Sequence, residues 1–134
     1  MSKHKVFSWP VRVYFQDTDA GGVVYHSSYV NFMERSRTEW LRTFGYSNAG
    51  LMKELGVVFV VRSLKLDYLK PALLDDMVNV TSKVKEIGRS RITLLQSVLR
   101  GDEVLTEGEV HLVCVDVKTF KPVSVPDVLR KQWD

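Results

Sequence analysis

Apolar and polar residues alternate along most of the chain, and one segment near the N-terminus departs from that pattern. Between about residues 27 and 44, apolar side chains recur at intervals of three and four, which predicts an amphipathic helix with one buried face. The residues of that face are Tyr29, Phe32, Met33, Ser36 and Trp40. Ser27 and Ser28 are candidate N-cap residues for this helix, and Gly45 follows its predicted end.

Period-two alternation elsewhere predicts about five strands. These cover residues 7–15, 64–68, 78–85, 92–100 and about 104–117, and the apolar run from Val57 leads into the second. A second helical stretch is predicted at 48–55, stopped by Gly56, and a terminal helical turn at 128–133. A long apolar helix must bury its face against a sheet, so the pattern predicts one α+β domain over residues 1–134 with a curved antiparallel sheet.

Composition narrows the class of protein. The chain has 134 residues, 45% of them hydrophobic and 26% charged, which is typical of a globular domain. The net charge of +3 comes without a dense Lys/Arg stripe, so no nucleic-acid partner is expected. Apolar runs are too short for a transmembrane segment. The single cysteine, Cys114, lies in a strand-like run, and we expect a buried thiol and a cytoplasmic location.

The loop after the first predicted strand carries the candidate chemistry. Asp17 and Asp19 precede two glycines, and His26 follows Asp19 by seven residues at the predicted start of the helix. Unpaired N–H groups and the helix dipole at such an end polarise a carbonyl and stabilise an oxyanion. A facing carboxylate serves as general base or nucleophile. The structural alternative is that both aspartates only form Asx turns and that His26 merely begins the helix.

The sequence around these residues resembles a known family. The run from Arg12 to His26 contains the motif Asp-Thr-Asp-Ala-Gly-Gly-Val-Val-Tyr-His, and it is followed by Asn31-Phe32-Met33-Glu34-Arg35 and Arg37-Thr38-Glu39-Trp40-Leu41. These segments are similar to the 4-hydroxybenzoyl-CoA thioesterase superfamily. Two further segments share the similarity, namely Asp67-Tyr68-Leu69-Lys70-Pro71-Ala72-Leu73-Leu74-Asp75-Asp76 and Gly88-Arg89-Ser90. The nearest branch is the YbgC family of acyl-CoA thioesterases associated with the Tol-Pal gene cluster.

The resemblance implies a hot-dog fold, in which a five-stranded antiparallel sheet wraps around one long central helix. It also implies a homodimer or homotetramer, with active sites at the dimer interface. The family's catalytic aspartate falls on Asp19, and the carbonyl-polarising N–H falls at about His26, whose side chain is a further active-site residue. The neighbouring Tyr25 is assigned to substrate binding. The branch places a tyrosine where this chain has Phe15, and strand alternation would turn Tyr14 to the opposite face.

The turn between the third and fourth predicted strands is a second candidate site. Arg89, Ser90 and Arg91 there suit the phosphates of coenzyme A, although a solvated hairpin explains the same residues. His4 and His111 have no other ligands at metal spacing, so no metal site is expected.

The resemblance thus implies an acyl-CoA thioesterase that needs no protein-bound cofactor, with Asp19 as nucleophile or general base. Two alternatives remain at this stage. One is a hot-dog hydratase of enoyl thioesters, whose aspartate–histidine spacing is shorter. The other is a non-catalytic scaffold that binds acyl thioesters or acyl carrier protein. Acyl carrier protein is also a candidate partner if the protein is an enzyme.

Overall fold

The computed structural model describes residues 5–133, which form one antiparallel sheet and three helices. The strands are β1 Phe7–Arg12, β2 Val57–Tyr68, β3 Met77–Ile87, β4 Arg91–Arg100 and β5 Glu103–Asp116. The helices are α1 His26–Arg42, the short α2 Asn48–Gly50, which continues into a π-helical turn at Leu51–Leu55, and α3 Asp127–Trp133. The strand order is β1-β3-β4-β5-β2 with antiparallel pairing throughout. The predicted α+β hot-dog fold is confirmed.

Helix α1 packs on the sheet through the face that the periodicity predicted. All five residues of that face are buried, and the side chain of Met33 packs directly over Gly108 of β5. A side chain at position 108 would meet Leu66 Cδ2 at 2.6 Å and Met33 Cε at 3.2 Å. The absence of a side chain at Gly108 therefore lets the helix approach the sheet at this point.

A buried polar network joins α1 to β3 and β4. Ser36 Oγ donates to the carbonyl of Val80 at 2.8 Å and lies 3.1 Å from Ser82 Oγ. Gln96, 1% exposed, donates through Nε2 to Ser82 Oγ and to the carbonyl of Met33. Because buried polar groups are costly unless they are paired, this network fixes the helix on the sheet.

The two edges of the sheet differ in length. Strand β1 is a short edge that contains Pro10, as the sequence predicted, whereas β2 is an edge strand of 12 residues. A bulge between Val61 and Ser63 interrupts the pairing of β2 with β5. The bulge adds one residue to β2, which shifts the alternation of inward-facing and outward-facing side chains by one position. Val57 and Phe59 before the bulge and Leu64 after it therefore all pack on the core.

Two local predictions need correction. The first strand ends at Arg12 instead of residue 15, and the chain then turns through a 3₁₀ segment at Phe15–Asp17. The N-cap of α1 is Tyr25, so the expectation that Ser27 or Ser28 caps the helix is wrong. Strand β2 begins at Val57, where the sequence analysis placed the change to a strand-like pattern.

Cys114 is confirmed as a buried core residue. Burial raises the pKa of its thiol to about 11, which leaves almost no thiolate at neutral pH. Within residues 5–133, none of the helices combines the length and the apolar composition that a membrane crossing requires.

Candidate active site at the start of the central helix

The loop between β1 and α1 is held by Asp17, the first of the two aspartates. Its buried carboxylate accepts a hydrogen bond from the Tyr14 N–H at 2.8 Å. Its carbonyl accepts the Tyr25 N–H at 2.9 Å and the Ser28 hydroxyl at 3.3 Å. Asp17 therefore connects the 3₁₀ turn to the beginning of α1, and we interpret its role as structural.

Asp19 is exposed and lies in a tight turn. One carboxylate oxygen, Oδ1, accepts the Gly21 N–H at 2.8 Å, so the Asx turn of the structural alternative is present. No other hydrogen bond reaches this carboxylate from the described residues. Gly22 has a φ of 79°, which a residue with a side chain adopts only with strain. The two glycines thus shape the turn that presents Asp19.

The N-terminal end of α1 offers unpaired N–H groups. Among residues 5–133, the N–H groups of His26 and Ser27 have no hydrogen-bond acceptor, and the N-cap Tyr25 makes no side-chain cap. The first turn contains no acidic side chain that would neutralise the helix dipole. This end of the helix therefore keeps its positive partial charge for a ligand.

The imidazole of His26 stacks on Tyr68, the last residue of β2. Their ring centroids are 4.7 Å apart with an interplanar angle of 30°, and the Tyr68 hydroxyl donates to the carbonyl of His26 at 3.3 Å. Tyr29 supports the same end of the helix, because its buried hydroxyl accepts the Ala72 N–H at 2.9 Å. Burial raises the pKa of Tyr29, so it stays a neutral phenol.

Sequence analysis missed Tyr68 as a contributor to this site. Strand alternation identified it only as the last residue of the predicted strand at 64–68. The available signal was its place in the segment Asp67-Tyr68-Leu69-Lys70-Pro71, which belongs to the resemblance.

The predicted site residues fall in three places. Asp19 and Tyr25 line one open depression, together with Ser27, Asn31 and Arg35. His26 lines an adjacent depression with Tyr68, Lys70 and Pro71. The first two residues of α1 are divided between them, because Ser27 lines the first depression and His26 the second.

The turn with Arg89, Ser90 and Arg91 lies at the opposite end of the sheet. Strand β3 begins one residue after Asp76, whose carbonyl accepts the Val13 N–H near the loop between β1 and α1, and it ends at Ile87 just before this turn. Its 11 residues span about 35 Å at about 3.3 Å each. One copy of the chain therefore does not bring this turn to Asp19.

The turn itself is well supported. Arg130 of α3 donates through Nη2 to the carbonyls of Gly88 and Arg89 at 2.7 and 2.9 Å, and the carbonyl of Ser90 accepts the Cys114 N–H. Arg89 and Arg91 are exposed. The hairpin interpretation and the phosphate-binding interpretation both fit these contacts.

Phe15, at the position where the family has a tyrosine, and the neighbouring Tyr14 do not lie in a strand as the sequence analysis assumed. Phe15 lies in the 3₁₀ segment and is 80% exposed, and Tyr14 precedes that segment at 61% exposure. Neither residue is in a strand, so the argument from alternating strand faces does not apply to them.

No group of three or more His, Cys, Asp or Glu side chains with metal-binding geometry occurs within residues 5–133. His111 instead contacts Thr93 Oγ1 at 3.2 Å and Glu109 Oε2 at 2.9 Å. His4 lies outside the described residues.

The chain is similar to several known proteins. The family model described as the thioesterase-like superfamily matches residues 13–133. The acyl-CoA thioesterase YbgC of Haemophilus influenzae is 45% identical over 124 residues, covering 92% of this chain and 91% of the relative. The acyl-CoA thioester hydrolase YbgC of Escherichia coli is 46% identical over 122 residues, with 90% of each chain covered. A probable thioesterase from Bartonella henselae superposes with a TM-score of 0.87 at 30% identity, covering 91% of this chain and all of the other.

These relatives define the class as a thioester hydrolase. The chain belongs to the thioesterase-like superfamily. The predictions of an enzyme of this class and of kinship with the YbgC branch are confirmed.

Proposed function

We propose that the protein hydrolyses acyl-CoA thioesters, with Asp19 as the catalytic carboxylate. The supporting observation is that the exposed Asp19 lines the same depression as Ser27, at the start of α1, where two N–H groups have no acceptor among the described residues. The YbgC relatives, whose names give this activity, support the choice of acyl-CoA as substrate. The described residues act as one catalytic domain in this proposal, and the lone buried thiol of Cys114 suits a cytoplasmic location.

In the reaction, the thioester carbonyl oxygen accepts hydrogen bonds from the N–H groups of His26 and Ser27. Asp19 removes a proton from water, and the water oxygen bonds to the carbonyl carbon. The oxyanion then collapses, the C–S bond breaks, and coenzyme A leaves as a thiolate that takes up the proton. In the nucleophilic route, an Asp19 oxygen attacks first, and water then hydrolyses the mixed anhydride. Neither route requires a protein-bound cofactor.

His26 has two roles in this proposal. Its N–H polarises the carbonyl, and its imidazole, held by Tyr68, lines the wall where the substrate lies. Tyr25 lines the same depression as Asp19 and contacts the substrate there. His26→Ala therefore lowers kcat/KM without abolishing turnover, because the backbone N–H remains.

We also propose that two copies join through β2 and complete each other's site. An edge strand of 12 residues with an unpaired side is a template for pairing with another strand. An isologous two-fold contact pairs β2 with β2 in antiparallel fashion, so its Val57 end meets the partner's Tyr68 end. This arrangement brings Arg89 and Arg91 of one copy toward the catalytic end of the other, where they bind CoA phosphates.

The dimer is tested by sedimentation equilibrium. Val61, 48% exposed on β2, becomes Asp in one variant, and the symmetric contact then places two new carboxylates near each other. Leu95→Asp, on β4 at 37% exposure, is the matched control. Dissociation and loss of activity in the first variant alone are expected. A monomeric wild-type enzyme that turns over normally would contradict the shared site. Assembly of dimers into a tetramer would be compatible with it.

The function is tested by thiol release from a panel of short, long and aromatic acyl-CoAs. Asp19→Asn is expected to lower kcat by at least about a hundredfold, the lower range for general acid–base catalysis. Asp102→Asn, an exposed aspartate in the β4–β5 turn, is the control and retains activity. Crotonyl-CoA tests the hydratase alternative, because hydration consumes the double bond without releasing a thiol. Tight acyl-CoA binding with no thiol release from any substrate would favour the scaffold alternative.

A further inference from the structure

The loop between β1 and α1, which carries the proposed catalytic carboxylate, is bonded to the connection between β2 and β3, residues 69–76. Two backbone hydrogen bonds join them. The Val24 N–H donates to the carbonyl of Ala72 at 2.9 Å, and the Leu74 N–H donates to the carbonyl of Gly22 at 3.1 Å. The place of the loop relative to the start of α1 therefore depends on where this β2–β3 connection lies.

The β2–β3 connection is also bonded to the elements on both sides of the loop. The Ala72 N–H donates to the hydroxyl of Tyr29 on α1 at 2.9 Å, and the Asp75 N–H donates to the carbonyl of Val13, just after β1, at 3.0 Å. Asp75 has a φ of 72°, a left-handed conformation that is strained for a residue with a side chain, so the surrounding contacts must hold it. The connection is thus a common support for the end of β1, the loop and the start of α1.

Arg100, the last residue of β4, fixes this connection on the sheet. Its Nη1 donates to Asp76 Oδ2 at 2.7 Å, at the end of the connection, and to the carbonyl of Pro71 at 3.3 Å, near its start. Its Nη2 donates to Glu103 Oε1 on β5 at 2.8 Å. The same Asp76 oxygen accepts the Leu73 N–H at 2.9 Å. A guanidinium can hold these acceptors together because its N–H donors lie in one rigid plane.

The cluster around Arg100 differs from the ion pair of Lys85 and Glu109 on the same sheet. The side chains of Arg100 and Asp76 are 32% and 21% exposed, and those of Lys85 and Glu109 are 51% and 33% exposed. The second pair joins β3 to β5 and makes no bond to the β2–β3 connection. Hydrogen bonds to Asp76 and Glu103 raise the pKa of Arg100, so it remains a cation. Partly exposed ion pairs add little stability, so we expect the Arg100 cluster to act chiefly on the geometry of the connection.

We propose that Arg100 is a positioning residue for thioester hydrolysis, which acts through Asp76 and the β2–β3 connection on the placement of Asp19. The inference rests on the proposed function, because it needs Asp19 as the catalytic carboxylate. Arg100 lines neither depression at the start of α1. Loss of its contacts lets the loop shift while the N–H groups of α1 stay with the helix. A misplacement of about 1 Å at a reacting group can lower a rate about a hundredfold, so a partial shift is expected to cost about tenfold.

Steady-state thiol release tests the proposal, with the acyl-CoA of the panel that the wild type hydrolyses fastest. Arg100→Gln removes the charge, and we expect kcat to fall about tenfold while KM stays within about twofold, because the groups that bind the substrate are elsewhere. Lys85→Gln breaks the other ion pair and is the matched control, which retains both constants. Circular dichroism selects a temperature at which every variant is folded. A wild-type kcat in Arg100→Gln, or a rise in KM alone, would overturn the proposal.

Two further variants test the route through Asp76. Arg100→Lys keeps a cation but loses the planar fork, and it is expected to recover part of the kcat that Arg100→Gln loses. Asp76→Asn should lower kcat about as much as Arg100→Gln, and the double variant should lower it no further, because both changes break the same contact. Fully additive losses in the double variant would overturn this route, as would an Arg100→Lys enzyme no better than Arg100→Gln.

A second double variant separates positioning of Asp19 from a general loss of structure. Arg100→Gln is added to Asp19→Asn, and the slow residual reaction is followed in single turnover with excess enzyme. We expect the residual rate to be unchanged, because the carboxylate that Arg100 positions is already gone. A further fall of about tenfold would mean that Arg100 supports the fold in general and would overturn the proposal. Wild-type activity in Asp19→Asn alone would instead contradict the proposed function, so the two failures are distinguishable.

Discussion

The two aspartates on either side of Thr18 make different contacts, and replacing each by asparagine separates structure from chemistry. The carboxylate of Asp17 is 7% exposed and accepts the Tyr14 N–H at 2.8 Å. The carboxylate of Asp19 is exposed and accepts only the Gly21 N–H within the described part of the chain. Asp17→Asn should therefore lower stability, whereas Asp19→Asn should lower turnover and leave stability unchanged.

The size of the stability loss follows from the hydrogen bond. A bond to a charged group contributes about 1.5–3 kcal/mol, and a neutral bond about 0.5–1.5 kcal/mol. Asparagine keeps the neutral bond, so Asp17→Asn costs about 1–1.5 kcal/mol, or about 3–7 °C in Tm for a domain of this size. At Asp19 the amide oxygen accepts the same N–H in water, and the change stays within about 0.5 kcal/mol.

The assay is urea unfolding followed by circular dichroism, with the midpoint and slope compared between variants, and kcat measured well below either Tm. A two-state fit with an unchanged slope assigns the shift to stability. An equal loss of stability in both variants would mean that Asp19 is a structural turn residue. A loss of turnover in Asp17→Asn as large as in Asp19→Asn, at a temperature where both are folded, would also refute the division of roles.

Three further predictions concern packing, positioning and the thiol. Gly108→Ala destabilises the fold by about 1–3 kcal/mol in urea unfolding, because its new methyl group overlaps Leu66 Cδ2, 2.6 Å away. Tyr68→Phe removes the hydrogen bond to the His26 carbonyl but keeps the stack, so kcat/KM falls only severalfold, whereas Tyr68→Ala loses more. Cys114 does not react with a disulfide reagent at pH 8 until the protein is unfolded, because its pKa is raised to about 11.

Each of these three predictions has a control or an outcome that would contradict it. Gly88→Ala matches Gly108→Ala, because the nearest atom to its new methyl group is 3.8 Å away, and it should be nearly neutral. Equal activity of Tyr68→Ala and the wild type would remove Tyr68 from the site. The raised pKa of Cys114 favours the folded state below the thiol's unfolded pKa, and this contribution is lost as the pH rises toward 11. Rapid labelling of the folded enzyme at pH 8 would contradict its burial.

The central helix and its buried face were predictable because packing on a sheet imposes a period of 3.6 residues on the sequence. The end of β1 was not, since apolar alternation reports which face is buried and not where strand pairing stops. Val13 continues the alternation and its N–H still bonds to Asp76, although the paired strand has ended at Arg12. The bulge in β2 could not be predicted either, because alternation does not report how a strand is paired.

The candidate site was predictable only in part. The acids, the glycines and His26 were visible as a cluster in sequence, but alternation and spacing could not separate the roles of Asp17 and Asp19. That separation depends on which carboxylate is buried against the Tyr14 N–H. Ser28 was a reasonable cap residue, yet the carbonyl of Asp17 accepts its hydroxyl instead. The distance from Asp19 to Arg89 depends on the direction of β3, which no local pattern gives.

Single-turnover measurement with Asp19→Asn tests the central claim most directly, because it separates binding from chemistry. An excess of the variant is mixed with a short-chain acyl-CoA, binding is followed by calorimetry, and the thioester is recovered after many wild-type turnover times. We predict wild-type affinity and intact thioester, since the N–H groups of α1 remain and only the carboxylate is lost. Release of coenzyme A at a rate near that of the wild type would contradict the account.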